Sequence, residues 1–289
     1  MPLRAKRPAC HAALTAAALL AALALLQPIY AQVKAPGQDG AKAFLPQHAW
    51  SRKNILLFGD SITELAGKPE GWGVMLADRY QRRADVLNRG FGGYTSKQAL
   101  QILPEILESV DLRRAALAVV WFGTNDAVNT KGPQSFMHVP IDKYISNLKQ
   151  IMQSLKGAGV SNVMLVTPPP VDDAKRAASV PGYPPDRKLD LAKQYAAATV
   201  QAGKEAGAPV LNSQAPGGAW SGRFLLADGL HLNPEGQKAF YKMLNDFIWS
   251  NFESARPDNL PYHHPAWEGI KYDASAAQFE KERGAAKSG

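Results

Sequence analysis

An aspartate and a histidine stand three residues apart in the motif D-G-L-H, as Asp228 and His231. At that spacing both side chains lie on one side of a single turn. The carboxylate can therefore hold one ring nitrogen while the other nitrogen acts as a base. Ser61, in F-G-D-S, follows the apolar run Ile55–Phe58, which predicts a buried strand. Since open α/β sheets bind ligands at the carboxyl ends of their strands, Ser61 is the candidate nucleophile for that base.

Two further loops carry groups that can stabilise a developing oxyanion. The stretch N-R-G-F-G-G-Y, residues 88–94, follows the second apolar run and precedes a helix-like segment. Glycines let backbone N–H groups approach a ligand closely, so the N–H of Gly93 is one candidate donor. Asn125, in G-T-N-D after the third run, carries an amide that can donate to the same oxyanion. Each motif taken alone is also compatible with an ordinary turn, and only their combination indicates hydrolytic chemistry.

Apolar runs alternate with longer helix-like segments from residue 54 onward. The predicted strands are Ile55–Phe58, Ala84–Leu87, Ala116–Phe122, Val163–Val166 and Pro209–Leu211. The predicted helices are Val74–Arg83, Ser96–Glu108, Ile141–Lys156, Lys188–Ala206 and Pro234–Phe252. This alternation predicts a three-layer α/β/α fold, with a doubly wound, five-stranded parallel sheet in a flavodoxin-like order such as 2-1-3-4-5.

Taken together, F-G-D-S, N-R-G-F-x-G-Y, G-x-N-D and D-G-L-H resemble the four blocks of the GDSL, or SGNH, hydrolases. The resemblance runs from Asn54 to Phe252. Within that superfamily the chain is most similar to the isoamyl acetate-hydrolysing esterase branch, through G-W-G at residues 71–73, D-V-L-N-R-G-F-G-G-Y at 85–94 and H-V-P at 138–140. The second glycine of the G-x-S-x-G elbow is missing, which disfavours the ordinary α/β-hydrolase fold.

The resemblance implies a role for each matching position. Ser61 would be the nucleophile, His231 the general base and then acid, and Asp228 the residue that orients His231. The backbone N–H groups of Ser61 and Gly93 and the side-chain amide of Asn125 would form the oxyanion hole. The implied reaction is hydrolysis of short-chain acyl esters, acetyl esters foremost, without a cofactor. Because an imidazole is a base only when neutral, we expect activity to fall as the pH drops through about 6.5.

Aromatic and imidazole side chains near these motifs are candidate substrate contacts. Trp72 and Tyr94 fall in loops or at helix starts and are predicted to form a substrate wall. His138 is a further candidate, with a capping or surface histidine as the alternative interpretation. The Pro-rich segment Thr167–Pro185 is long for a connection in a compact domain, so we expect it to border the binding site.

The N-terminus has the layout of an export signal. Arg4, Lys6 and Arg7 precede the Ala- and Leu-rich run Ala12–Leu26, and Ala31 offers a small residue for cleavage. Residues 1–31 are therefore predicted to be the signal peptide of an exported bacterial protein, either periplasmic or secreted. Because the run is shorter than the roughly 20 residues that span a bilayer, no stable membrane anchor is expected.

The charge distribution and the cysteine content argue against nucleic acid binding and against a metal site. The net charge of +8 is scattered rather than interleaved with aromatics, so nucleic acid binding is not expected. Cys10, the only cysteine, lies in the predicted signal peptide, and no H-E-x-x-H motif is present. No metal site is therefore predicted. The expected organisation after the signal peptide is a linker at 32–51, a hydrolase domain at 52–255 and a C-terminal extension at 256–289. The oligomeric state stays open.

Two alternatives remain beside a simple short-chain esterase. The substrate is either a small-molecule ester or an acetylated carbohydrate, and in the second case the protein would be a carbohydrate O-acetyl esterase acting on polysaccharide. A non-catalytic carbohydrate-binding domain on the same fold is the third possibility. A binding domain has no chemical need for a nucleophile, a base and oxyanion donors together, so their joint presence argues against this third possibility.

Overall fold

Five short apolar segments form the sheet at the centre of the domain. A computed structural model describes residues 52–214, 222–226 and 228–263. The strands are β1 (Lys53–Gly59), β2 (Ala84–Gly90), β3 (Ala115–Trp121), β4 (Val163–Val166) and β5 (Val210–Leu211). All neighbouring strands are parallel and their order is β2-β1-β3-β4-β5, which confirms the doubly wound order predicted from the sequence. Every residue of β3 is buried, as expected for a central strand covered on both faces.

Helices connect the strands and flank both faces of the sheet. They are α1 (Ser61–Glu64), α2 (Trp72–Arg79), α3 (Ser96–Ser109), α4 (Ile141–Gly157), α5 (Asp173–Ser179), α6 (Leu189–Ala206) and α7 (Pro234–Asn251). Local chemistry fixes several of their starts. Thr95 and Gln98 form a capping box at the start of α3. The side chain of Asn233 caps α7, whose first residue is Pro234.

Alternate residues of the strands build two separate cores. Leu56, Phe58 and Val120 pack with residues of α3, α4 and α6 on one face of the sheet. Ile55 and Leu57 pack on the other face with residues of α2 and α7. This alternation follows from the two-residue period of a strand and produces the predicted three layers.

Two predictions about the elements need correction. The helix expected at Val74–Arg83 is α2, which begins earlier, at Trp72 directly after Gly71, and ends at Arg79. No helix was predicted in the connection Thr167–Pro185, but it contains α5. The predicted signal peptide, the predicted linker and most of the C-terminal extension lie outside the described residues.

The register of the sheet brings three loops to one edge. Gly59 at the end of β1 is opposite both Gly90 of β2 and Trp121 of β3. The chain leaves all three strands at the same level, so the residues that follow them lie close together. None of the helices in the described ranges is long and apolar enough to cross a membrane.

Candidate active site

The proposed nucleophile lies at the turn from the central strand into a short helix. β1 ends at Gly59 and Ser61 is the first residue of α1. Between them, Asp60 caps α1 by accepting a hydrogen bond from the N–H of Ile62 at 3.0 Å, and its own N–H donates to the carbonyl of Trp121 at 3.2 Å. Asp60 is fully buried, whereas Ser61 is partly exposed. The turn is therefore fixed on its buried side, while Ser61 stays partly exposed.

Three side chains from two distant parts of the sequence form a continuous hydrogen-bonded chain. His231 Nε2 lies 2.9 Å from Ser61 Oγ, and His231 Nδ1 lies 2.6 Å from Asp228 Oδ2. The other oxygen of Asp228 accepts the backbone N–H groups of Leu230 at 3.0 Å and His231 at 3.1 Å. This is the geometry that a nucleophile, a base and an orienting carboxylate require.

The electrostatics of Asp228 suit an orienting carboxylate. Partial burial acts to raise its pKa, but the hydrogen bonds from the His231 ring and from two backbone N–H groups hold the pKa below its usual value. A charged carboxylate at Nδ1 favours the tautomer that carries its proton there. Nε2 is then free to accept the proton of Ser61.

The turn that carries the Asp–His pair packs against the Pro-rich connection. The N–H of Asp172 donates to the carbonyl of Gly229 at 2.9 Å, and Arg176 lies at 3.5 Å from the carbonyl of Asp228. The segment 167–185 therefore lies beside the turn that carries Asp228 and His231, as its length and composition led us to expect.

The glycine-rich loop after β2 is tied to the helix that carries Ser61. Phe91 N–H donates to the carbonyl of Gly59 at 2.9 Å, and Gly92 N–H donates to Glu64 Oε2 at 2.5 Å. Gly93 is exposed, and its N–H has no acceptor within the described part of the chain. Its donor is therefore available to a ligand.

The amide of Asn125 is held on both sides, and one of its partners was not predicted. The side chain is buried, and its Nδ2 donates to the carbonyl of Tyr94 at 2.9 Å. Its Oδ1 accepts a hydrogen bond from Arg187 at 2.6 Å. Sequence reasoning missed Arg187, because no motif surrounds it and it reaches Asn125 across 62 positions of the chain.

Two buried carboxylates support these loops from inside the protein. Burial raises the pKa of Asp60 to about 7 and that of Asp126 to about 6. Asp126 accepts the backbone N–H of Ser96 at 3.0 Å and thereby joins the loop after β3 to the start of α3. No group of three or more His, Cys, Asp or Glu side chains in the described ranges is placed to hold a metal ion.

The three side chains predicted as substrate contacts differ in their exposure and in their neighbours. Trp72 is fully buried and packs against the rings of Trp121 and Phe240, so its prediction as a substrate wall is wrong. Tyr94 is half-buried and stacks on Phe91 at 5.2 Å between ring centroids. His138 is half-buried near the ring of Tyr195, and no hydrogen bond joins it to the described residues of the hydrogen-bonded chain.

Comparison with known proteins places this arrangement in a family. Residues 57–239, more than half of the chain, match the GDSL-like Lipase/Acylhydrolase family. The chain belongs to that family. It is 34% identical over 232 residues to the isoamyl acetate-hydrolyzing esterase 1 homolog of Mus musculus, covering 77% of this chain and 89% of the relative. It is also 34% identical over 241 residues to the isoamyl acetate-hydrolyzing esterase of Saccharomyces cerevisiae, covering 77% of this chain and 97% of the relative. The protein is therefore a carboxylic ester hydrolase.

Solved structures agree on the fold of this GDSL-family protein. A lipase/acylhydrolase from Enterococcus faecalis matches with a TM-score of 0.53 and 23% identity over 73% of this chain and 98% of its own. A catalytic mutant of an acetylxylan esterase from Geobacillus stearothermophilus matches with a TM-score of 0.53 and 19% identity over 70% of this chain and 96% of its own. These matches support the three-layer fold predicted from the sequence.

Proposed function

We propose that the protein is a serine esterase that hydrolyses short-chain acyl esters, acetyl esters foremost, through an acyl-enzyme on Ser61. The observation that carries the proposal is the position of His231, within hydrogen-bonding distance of both Ser61 Oγ and Asp228. Ser61, Gly93, Asn125, Asp228 and His231 have no joint use in a binding module, which argues against a non-catalytic domain.

The geometry supports the following acylation step. Ser61 Oγ attacks the ester carbonyl while its proton passes to Nε2 of His231. The carbonyl oxygen becomes an oxyanion that accepts hydrogen bonds from the N–H groups of Ser61 and Gly93 and from the amide of Asn125. The bond to the alcohol oxygen then breaks, and His231 returns its proton to the leaving alcohol. Asp228 stabilises the imidazolium while it exists.

Deacylation repeats the same steps with water in place of the serine. His231 Nε2 takes a proton from a water molecule, which attacks the acyl carbonyl. The same three donors stabilise the second oxyanion. When the bond to Ser61 Oγ breaks, the proton goes back to that oxygen. The products are the carboxylic acid and the free enzyme, so neither a metal nor an organic cofactor enters the proposed cycle.

The proposed nucleophile is tested by replacing one hydroxyl. In Ser61→Ala we expect hydrolysis of p-nitrophenyl acetate to fall to the background rate, because no acyl-enzyme can form. Ser250→Ala is a matched control, since that exposed hydroxyl donates to the carbonyl of Asp246 in its own helix. A fluorophosphonate probe should label the wild type and the control but not Ser61→Ala. Wild-type turnover in purified, folded Ser61→Ala would refute the proposal.

Two substrate classes are compatible with this site. The names of the mouse and yeast relatives support acetates of small alcohols. Carbohydrate O-acetyl esterase activity is the second candidate, because an exported enzyme meets acetylated polysaccharide more readily than a volatile ester. Acetate release from alkyl acetates, compared with release from acetylated xylan or pectin, separates them. An acyl-chain series with one fixed leaving group then defines the acyl pocket.

We also propose that the protein is exported from a bacterial cell, on the strength of the basic start and apolar run of residues 1–31. Expression of the full chain in a bacterium, followed by intact-mass analysis of the exported fraction, should give a protein that begins after about residue 31. A charged substitution in the run, Leu23→Arg, should retain the protein inside the cell. Unprocessed protein found only in the cytoplasm of cells expressing the wild type would contradict export.

A further inference from the structure

A buried arginine lies directly behind the amide that the proposed mechanism uses as an oxyanion donor. Arg187 is 4% exposed. Its Nε donates to the carbonyl of Thr124 at 2.8 Å, and its Nη2 donates to Oδ1 of Asn125 at 2.6 Å. Its Nη1 donates to Gln134 Oε1 at 2.8 Å and to Asp186 Oδ2 at 3.0 Å. The guanidinium thus holds both the backbone before Asn125 and the Asn125 side chain.

This contact settles which way the amide points. A guanidinium is a donor only, so it can face the oxygen of Asn125 but not its NH2 group. The NH2 group then points away from Arg187. One of its hydrogens is taken by the carbonyl of Tyr94 at 2.9 Å. The second hydrogen remains for the oxyanion. If the amide turned over, its oxygen would face the developing negative charge and repel it.

We propose that Arg187 is the positioning residue of the oxyanion hole: it fixes and polarises the Asn125 amide without touching substrate. The inference rests on the proposed esterase function, since it assigns a task within that reaction. A charged donor on the amide oxygen draws electron density from the nitrogen and strengthens the N–H as a donor. Loss of Arg187 should therefore weaken stabilisation of the oxyanion and leave binding of the ground-state ester nearly unchanged.

The arginine is paired with a buried carboxylate. Arg187 shares the buried Asp186 with Arg176, which contacts both oxygens of that carboxylate at 2.6 and 2.7 Å. Burial acts to raise the pKa of Asp186, but the hydrogen bond from Arg176 and the charge of Arg187 keep it below its usual value. A buried, paired guanidinium is a costly way to hold a loop. Orienting the Asn125 amide for the reaction is a task that needs the charged guanidinium and that a neutral residue could not perform as well.

A purely structural role for Arg187 makes a different prediction. Through Gln134 and Asp186 the arginine also joins the loop after β3 to the Pro-rich connection, and Asn129 N–H adds a bond to the carbonyl of Asp186 at 2.7 Å. If this were the whole role, Arg187→Gln would lower stability and act on turnover whether or not Asn125 were present. A double-mutant cycle distinguishes the two cases.

The cycle uses Arg187→Gln, Asn125→Ala and the double variant, with p-nitrophenyl acetate as substrate. Removing one oxyanion donor typically costs about 10²–10³-fold in kcat, and we expect that loss for Asn125→Ala. Arg187→Gln alone should lower kcat by roughly 10–100-fold with KM changed less than about twofold, since only the transition state is affected. In the Asn125→Ala background the same substitution should change kcat by less than about threefold.

The control and the second variant separate positioning from stability. Arg83→Gln removes another partly buried arginine, which donates to the carbonyls of Pro257 and Leu260, and it should retain wild-type kcat. Arg187→Lys keeps the charge but lacks the fork that reaches both Thr124 and Asn125, so its kcat should be intermediate. If Arg187→Gln does not fold, Arg187→Lys carries the same cycle.

A spectroscopic measurement makes the inference independent of the reaction. With 15N-labelled asparagine, the side-chain NH2 signals of Asn125 are assigned by their loss in Asn125→Ala. They should shift in Arg187→Gln and stay in place in Arg83→Gln. Equal loss of kcat in both backgrounds, or unmoved Asn125 signals in Arg187→Gln, would overturn the positioning role. Failure of the esterase proposal itself is seen separately, as hydrolysis that survives in Ser61→Ala.

Discussion

At the scale of single residues, Trp72 shows how a side chain close in sequence to a site can serve it without touching a substrate. Its indole N–H donates to the buried carbonyl of Ile62 at 3.2 Å, one residue after the proposed nucleophile. Its ring lies 5.0 Å from that of Phe240 in the core. The tryptophan therefore supports α1 from inside, and its position at a helix start misled the prediction from residue type alone.

The orientation of the Asn125 side chain depends on partners that could not be predicted from the sequence. The amide was predicted as an oxyanion donor from its place after β3. Its orientation, however, depends on Tyr94 through a backbone carbonyl and on Arg187 through the guanidinium. A hydrogen bond to a backbone carbonyl depends on no particular residue type, and Arg187 follows the Pro-rich segment without belonging to a motif.

At the scale of elements, the turn that carries Asp228 and His231 depends on its contact with α5. Gly229 has a φ of +69°, in the left-handed region, and a Cβ there would lie 2.5 Å from the carbonyl oxygen of Asp172 and 2.7 Å from the N–H nitrogen of Arg176. Both contacts are backbone atoms, which cannot rotate away. The packing of α5 against this turn therefore requires a residue without a side chain.

Gly229→Ala should consequently lower kcat by more than the strain of a positive φ alone would. The clash moves the turn or α5, and displacing a catalytic base by about 1 Å can cost on the order of 10²-fold in kcat. Gly207→Ala is the matched control, because Gly207 ends α6 with a φ of +60° and has open space where a Cβ would lie. Steady-state kinetics on p-nitrophenyl acetate should show a loss in the first variant and wild-type kcat in the second. Equal kcat in both would exclude this account.

At the scale of the whole molecule, the apolar pattern predicted the fold almost completely. The expected strand Val163–Val166 is observed with the same bounds, and the order of all five strands is confirmed. The pattern works because each central strand must be buried on both faces and each helix must cover one face. Helix α5 escaped prediction because it has no buried residues and so leaves no apolar period in the sequence.

The site was predictable only where a sequence motif marked it. Ser61, Gly93 and Asn125 follow β1, β2 and β3, so the parallel topology alone brings them to one edge. Asp228 and His231 were predicted from their spacing. The partners that orient these groups come from the connection between β4 and α6, whose path depends on tertiary contacts.

The stability of the whole domain should depend on pH through two buried carboxyl groups. Burial raises the pKa from the ordinary 3.8 to about 7 in Asp60 and to about 6 in Asp126, so the folded protein binds protons that the unfolded chain has already released. The free energy of unfolding should therefore fall as the pH rises from about 4.5 to about 7 and then level off. Asp60→Asn has a side chain that is neutral at every pH, so this variant should show a shallower decline. Asp142→Asn, at an exposed carboxylate, is the control and should show the same decline as the wild type. Urea unfolding of the three proteins at intervals from about pH 4.5 to about pH 8 measures the slopes directly. A wild-type slope that persists in Asp60→Asn would show that Asp60 is not the group that titrates.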